Sequence, residues 1–265
     1  MDLASLIGLI MAFVLVIFGI TAEDGFGALI GFLDYQSALI TFGGAFMAVM
    51  VMQPSIPLFL KKLKSISMIF KVQATNELEM IKNIIQLSNV ARKEGLLALE
   101  EAANGMEDEF MKKGLLLIVD GTDPELVRSI LETELNCIEE RHKDNITFWD
   151  NLASMGPAWG MIGTLIGLIN MLGKLQDMAT VGPNMAIALI TTLYGSLLAN
   201  WICTPTANKM RINNGAELKV KEILVEGLLS IQAGENPRVI EEKLKSFLTP
   251  GQREELTTEG GEEIG

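Results

Sequence analysis

Four long runs without a charged residue constrain this chain more than any other feature, and they come in two pairs. Residues 3–22, 35–60, 151–173 and 178–208 contain no Asp, Glu, Lys, Arg or His. A bilayer core about 30 Å thick is crossed by about 20 apolar residues in a helix, so each run is long enough to span. Residues 61–150, between the pairs, are densely charged. The layout predicts an all-α integral membrane protein with four transmembrane helices and a helical cytoplasmic domain. Residues 1–60 carry spans one and two, 61–150 the cytoplasmic domain, 151–208 spans three and four, and 209–249 further cytoplasmic helices. Residues 250–265 form an acidic tail expected to be disordered.

Composition supports the uneven layout. Mean hydropathy is +0.34 and 49% of residues are hydrophobic, yet 20% are charged. Only Met1 and Asp2 precede the first run, with no basic residue and no small-residue cleavage site leading into a soluble domain, so it reads as a retained span. Cys137 and Cys203 give neither a disulfide framework nor metal-ligand spacing, and both read as small buried side chains.

Basic residues near the membrane set the orientation. Lys61, Lys62 and Lys64 follow span two, and Lys209 and Arg211 follow span four. The loop before span two has Glu23, Asp24 and Asp34 but no base, and the loop before span four has only Lys174 and Asp177. The positive-inside rule then puts both termini and the large domain in the cytoplasm. The net charge of −12 does not oppose this, because acidic residues count little in the rule.

The charged part reads as helix throughout, with no strand signal and no repeat at solenoid spacing. Leu78, Ile81, Ile84, Ile85, Ile118 and Val119 recur among charges at helical spacing. Asp123-Pro124-Glu125 combines a cap, a proline for the first turn and an acid for the dipole. From there Val127, Ile130, Leu131, Leu135 and Ile138 form an apolar stripe, predicting one long helix that runs towards span three. After span four a second amphipathic helix covers about residues 216–233 and stops at Gly234. Asn236-Pro237 starts a last short helix that ends before Pro250.

The spans themselves are distinguished by what they lack. A chain that moves ions alone usually places an ionisable group at membrane depth, and this one has none. It offers small and hydroxyl side chains instead. Pro157, Gly160, Thr164, Gly167 and Met171 share roughly one face of span three, and Ala188, Thr192, Gly195 and Ala199 share one face of span four. Gly195-xxx-Ala199 and Gly8-xxx-Ala12 are spacings that let helices approach closely, for which plain helix packing is sufficient reason. Hydroxyls in hydrocarbon can bond their own i−4 carbonyl. They can also line a hydrated route with oxygen ligands that suit a hard cation, and the pair Thr191-Thr192 with Thr164 on the neighbouring helix fits that use. Pro157 and Pro205 sit near the cytoplasmic ends of spans three and four, where each can kink its helix.

Several segments resemble one family. Met1-Asp2-Leu3-Ala4-Ser5-Leu6-Ile7-Gly8 is similar to the start of the flagellar stator A-subunits, the MotA and PomA family. So are Ala91-Arg92-Lys93-Glu94-Gly95-Leu96-Leu97-Ala98-Leu99-Glu100-Glu101, Gly156-Pro157-Ala158-Trp159-Gly160, Ala188-Leu189-Ile190-Thr191-Thr192-Leu193-Tyr194-Gly195 and Gly234-Glu235-Asn236-Pro237. The resemblance runs over nearly the whole chain and leaves out only the acidic tail.

The resemblance implies a ring of A-subunits, a pentamer, around the single spans of a dimer of MotB- or PomB-type subunits in the bacterial inner membrane. The partner supplies an aspartate at membrane depth and an outer domain that binds peptidoglycan. Ion flow past that aspartate drives the ring against the flagellar rotor switch complex. No cofactor is implied beyond the transported sodium ion or proton, and no partner beyond these and membrane lipid; nucleic acid is not among them. By resemblance Arg92 and Glu100 occupy the positions of the charged pair that meets the rotor, flanked by Lys93 and Glu101. Lys93 and Glu100 would share a face if their helix is continuous, and Gly95 lies between them. Some sodium-type members carry an acid where Ala103 stands, so the charge pattern here is not identical. Pro157 and Pro205 fall at the positions of the functional prolines. Thr164, Thr191 and Thr192 match the hydroxyl-rich pattern of sodium-type stators, which favours sodium over the proton, with Thr191 expected to be a ligand or selectivity element.

Two other classes are set aside on sequence grounds. ExbB and TolQ energisers of outer-membrane transport also ring a charged partner span, but usually have three spans and lack the motif around Arg92. An intramembrane enzyme would need H-E-x-x-H, paired intramembrane Asp or a phosphate loop, and none occurs. The lone His142 lies in a charged helix.

Overall fold

Every regular element among the described residues is helical. The computed structural model describes residues 2–71, 77–106 and 108–262, with side chains to residue 256. No strand occurs among them. Helix α1 covers Leu3–Thr21, and its start is fixed by the Asp2 carboxylate, which accepts from the amides of Ala4 and Ser5 at 3.1 and 3.3 Å. None of its residues is buried within the chain, as suits a helix whose surroundings are hydrocarbon or another protein. A 3-10 segment, Phe26–Phe32, leads to α2, Tyr35–Val51, capped by Asp34 through the Ser37 amide at 2.6 Å and widened by a π-helical turn at Leu39–Gly43.

The second uncharged run is not one straight span. Helix α2 ends at Val51, and after a break containing Pro54 the chain enters α3, Ile56–Lys64, at 118° to it. Pro54 offers no amide to continue the first helix, and Ser55 caps the second with Pro57 in its first turn. Residues 56–60, assigned from charge alone to span two, therefore belong to a different helix that continues as a 3-10 segment, Ser65–Phe70.

The charged sequence folds as α4 (Glu77–Glu94), α5 (Leu99–Asn104) and α6 (Glu109–Val119). Helix α7 is a single 49-residue helix, Pro124–Leu172, which continues through Pro157. Helix α8, Met178–Gln232, has 55 residues with a π-helical turn at Leu198–Cys203. Gly234, at φ +70°, then closes it: the Glu235 amide donates to the Ser230 carbonyl, a six-residue loop that needs the left-handed glycine. Helix α9 is Pro237–Lys245. The tail expected to be disordered forms α10, Pro250–Glu262, because Leu256 is buried against the neighbouring apolar core and anchors it; residues 263–265 lie outside the described residues. Helices α1, α7 and α8 are long and apolar enough to cross a membrane; there are four such segments if α2 and the chain through Phe70 count as one bent span.

The chain divides into two units. One comprises residues 1–72 and 142–212, the other 73–141 and 213–265. The second has a core of branched side chains: Ile81 and Ile84 of α4, Leu115 and Ile118 of α6, Val127 and Leu131 of α7, and Leu224 and Leu228 of α8 are at most 1% exposed. Its rim carries a three-centre charge cluster, in which Glu226 pairs with Arg128 at 2.9 Å and Lys243 at 3.2 Å. Burial pushes the Glu226 carboxyl up, but hydrogen bonds from both cations hold it below its ordinary value.

Candidate functional site: a hydroxyl pair on a glycine seam, and a charged turn

In the first unit, glycines let two apolar helices meet backbone to backbone. On α7, Gly156, Gly160, Gly163 and Gly167 recur at helical spacing and face Gly195, Thr191 and Ala188 of α8. A Cβ added at Gly160 would come within 2.8 Å of the Thr191 carbonyl, and one at Gly195 within 2.5 Å of the Gly156 carbonyl. Between helices in hydrocarbon there is no hydrophobic drive, so close packing of this kind is what would supply the attraction.

That closeness brings Thr164 and Thr192 together. Their hydroxyls are in direct hydrogen-bond contact, and Thr164 also lies 3.0 Å from the Ala188 carbonyl and 3.1 Å from that of Gly160. Thr192 remains exposed. A hydroxyl that donates its proton to a carbonyl keeps lone pairs that can accept a cation or a proton's hydrogen bond. The three threonines that the sequence groups meet at one carbonyl but differ in exposure. Thr191 is fully buried: it donates to the Ala188 carbonyl at 2.9 Å, the carbonyl that the Thr164 and Thr192 hydroxyls also reach at 3.0 and 3.4 Å, and packs its side chain where a Cβ on Gly163 would sit. Successive helical residues are about 100° apart, so Thr191 turns into the seam while Thr192 keeps an exposed edge, though both hydroxyls reach one carbonyl. The Thr41 hydroxyl of α2 donates to the Thr191 carbonyl at 3.3 Å, which ties a third helix to the same turn.

Pro157 and Pro205 are both exposed. Pro157 sits inside α7 one residue after Gly156, in the seam, and leaves the Ala153 carbonyl without its helical donor. Pro205 lies two residues beyond the π-helical turn at Leu198–Cys203, where the wider winding takes up the missing amide. Within that turn Trp201 donates from Nε1 to the Leu9 carbonyl at 3.0 Å and stacks on Phe13 at 5.3 Å, which fastens α1 to α8. Tyr194 does the same for α2, donating to the Phe32 carbonyl and accepting from the Asp34 amide at 3.2 Å. Both were missed by reading for charges and hydroxyls alone. An aromatic with a polar tip inside an uncharged run was the available signal. At the start of α1, Lys209 pairs with Asp2. Hydrogen bonds from Lys209, then from the Ser5 hydroxyl and amide, lower the Asp2 carboxyl to about 2.

The second set of expected residues lies on a turn in the other unit. Helix α4 stops at Glu94 because Gly95 takes φ +88°, and a 3-10 turn, Leu96–Ala98, leads into α5. The helix is thus not continuous from Lys93 to Glu100. Arg92 and Lys93 stand before the break, Glu100 and Glu101 after it; all four are exposed and make no ion pair among the described residues. Leu99 and Ala103, both 0% exposed, root the turn in the core. Ala103 lies in that core and not on the surface that the four charged residues occupy. Cys203 is buried as expected, whereas Cys137 is exposed.

Residues 102–223 match the MotA/TolQ/ExbB proton channel family. Motility protein A of Treponema phagedenis is 41% identical over 259 residues, 98% of each chain. Chemotaxis protein PomA of Vibrio alginolyticus is 38% identical over 96% of this chain and 98% of its own. The fold is similar to that of a chain in the flagellar MotAB stator complex from Bacillus subtilis, with a TM-score of 0.83, 30% identity, and coverage of 95% of this chain and 98% of that one. This full-length identity leads to one conclusion: the chain belongs to the MotA and PomA family of flagellar motor stator A-subunits.

Proposed function

We propose that this chain generates torque by coupling cation flow to rotation, as the A-subunit of a stator in the bacterial inner membrane. The spans are α1, α2 and the uncharged parts of α7 and α8; both termini and the unit containing α4–α6 are cytoplasmic. Five copies surround two single-span subunits of MotB or PomB type. The observation that carries this reading is the Thr164–Thr192 hydroxyl pair beside the Ala188 carbonyl, on stretches of α7 and α8, residues 151–172 and 178–208, that have no Asp, Glu, Lys, Arg or His of their own. Such a surface can hydrate and hand on a cation, yet needs a partner to supply the charge that binds it. A carboxylate on the partner is costly at membrane depth unless a cation or proton meets it, so loading and release alter how it sits against this face. Each cation that crosses delivers about 2.3 kcal/mol per 100 mV of potential before any concentration term.

Sodium is favoured over the proton, since three oxygens within hydrogen-bond reach suit a hard cation. Thr191 acts on the same route through helix spacing, its side chain filling the gap at Gly163. Pro157 and Pro205 weaken backbone pairing where the helices must bend as the ring moves. The unpaired charges Arg92, Lys93, Glu100 and Glu101 meet complementary charges on the rotor switch complex, which tunes encounter and specificity more than affinity.

The test is swimming speed against external sodium at fixed pH, in a flagellated cell deleted for its own stators and supplied with this chain and its cognate B-subunit. Speed should rise with sodium and saturate, and Thr192→Val or Thr164→Val should remove most of that dependence while the complex still assembles. Speed that follows only the proton gradient would retain the stator and discard the sodium route. An assembled complex that never turns a compatible rotor would discard the torque reading.

A further inference from the structure

The helix that breaks span two has a surface unlike either a core helix or a solvated one. From Ile56 to Phe70 the buried side is Phe59, Ser65 and Ile69. Phe59 meets Phe148 edge-on at 5.6 Å, and Ser65 accepts from Trp149 Nε1 at 3.0 Å. The exposed side alternates apolar residues with lysines: Ile56 at 62%, Leu60 at 50% and Met68 at 41%, with Lys61, Lys64 and Lys71 between and beyond them. Lys62 is excluded from that side; it turns inward to within 3.9 Å of Asp144. Lys61, Lys64 and Lys71 make no ion pair among the described residues.

Both ends of this segment are tied to the ends of apolar helices. Its start follows Val51, the last residue of α2, after the 118° bend. At its end the Phe70 carbonyl accepts from the Asp2 amide at 2.9 Å, at the first turn of α1. A segment that leaves the end of one span and finishes at the beginning of another, on the same side, must run along the membrane surface. This step rests on the reading of α1 and α2 as spans.

We infer that Ile56–Phe70 lies in the cytoplasmic interface of the bilayer and binds anionic phospholipid. Ile56, Leu60 and Met68 enter the boundary of the acyl chains, while the stems of Lys61, Lys64 and Lys71 extend to headgroup phosphates. Charge decides the ligand. Three unpaired lysines on a strip that reaches the membrane plane match the negative potential of the inner leaflet, and no acidic side chain of the strip competes for them. Torque requires the ring to turn within the lipid, so a lubricating shell of mobile anionic headgroups here would also set the drag on it.

The test uses the full chain with its cognate single-span partner in vesicles of phosphatidylcholine and phosphatidylglycerol. A nitroxide attached at Leu60→Cys, in a Cys137→Ser background, should be relaxed more by oxygen than by a water-soluble nickel chelate. Contact with the chelate would overturn the interfacial seat, and shielding from both agents would overturn it in favour of a protein cover such as a second copy. The same label at Leu15→Cys in α1 is the control: if it too is reached by the chelate, the spanning reading itself has failed. After detergent extraction, the wild-type complex should retain phosphatidylglycerol selectively. Lys61→Gln, Lys64→Gln and Lys71→Gln together should lower that retention about fivefold for each charge removed. The matching triple arginine variant should keep it, which separates lost charge from lost folding. Retention unchanged in the glutamine variant would overturn the anionic-lipid assignment.

Discussion

The seam between α7 and α8 and the core of the unit holding α4–α6 are both tightly packed, but by opposite means. The seam is built from residues with almost no side chain: Gly156, Gly160, Gly167, Ala188 and Gly195 bring backbones into contact. The core is built from Ile81, Leu115, Leu131, Leu224 and Leu228, and the glycines there, Gly114 and Gly227, face side chains instead of backbone. If α7 and α8 cross the membrane here, as proposed, the difference follows from the surrounding solvent. In water, removal of apolar area stabilises at about 25 cal/mol per Å², so large side chains are favoured. In lipid that term is absent, and association depends on dispersion contacts and interhelical hydrogen bonds, which small residues bring within reach. The Thr164–Thr192 contact exists only because the seam is that narrow.

The sharpest way to break this comparison is to add side chains to the seam. Gly160→Val would force its Cβ towards the Thr191 carbonyl and the Thr192 Cα, both backbone, so no side-chain adjustment can relieve it. Loss of complex assembly and of swimming is expected, scored by co-purification with the partner subunit and by motility; normal assembly would show that the seam tolerates separation. Removal of side chains from the core should be the next largest effect. Leu228→Ala, at a site 0% exposed, should cost about 2–5 kcal/mol, read as a lowered denaturation midpoint of the full complex. A smaller effect is expected when a methyl is added to the core. Gly227→Ala meets only the Ile84 side chain, 2.7 Å from its Cδ1, so a rotamer change can absorb part of the strain and about 1–3 kcal/mol is expected. If Gly227→Ala proved as damaging as Gly160→Val, the contrast between side-chain and backbone contacts would fail. The smallest effect concerns the start of α1. The Asp2 carboxyl is depressed from 3.8 to about 2, chiefly by Lys209, so its contribution is full above 3.8 and is lost as pH falls through about 2. A pH titration of thermal stability should lose that increment in Asp2→Asn while the rest of the profile is kept.

Much of this was legible from residues alone. Capping residues such as Asp123 and Asn236 marked helix starts, because a side-chain acceptor for free amides is a local matter. The stripe through Val127, Leu131 and Ile138 identified the core face of α7, since periodicity survives any tertiary arrangement. The bend after Val51 was not inferred from charge, although Pro54 lay within the uncharged run; length and hydropathy do not register direction. The helical tail after Pro250 was missed because its acidic composition outweighed the one anchor, Leu256.

Sequence by itself determined the helical class, the uncharged runs, the family and the residue types at the site. Tertiary structure decided which of them meet. It brought the Thr164, Thr191 and Thr192 hydroxyls to the Ala188 carbonyl, and buried Thr191 while leaving Thr192 exposed, because neighbouring positions on a helix diverge by about 100°. It placed Arg92 and Lys93 on one side of a turn and Glu100 and Glu101 on the other, because Gly95 adopts a backbone that ends the helix. Spacing along a chain sets which residues can share a face; only the packing of one helix on another decides what that face touches.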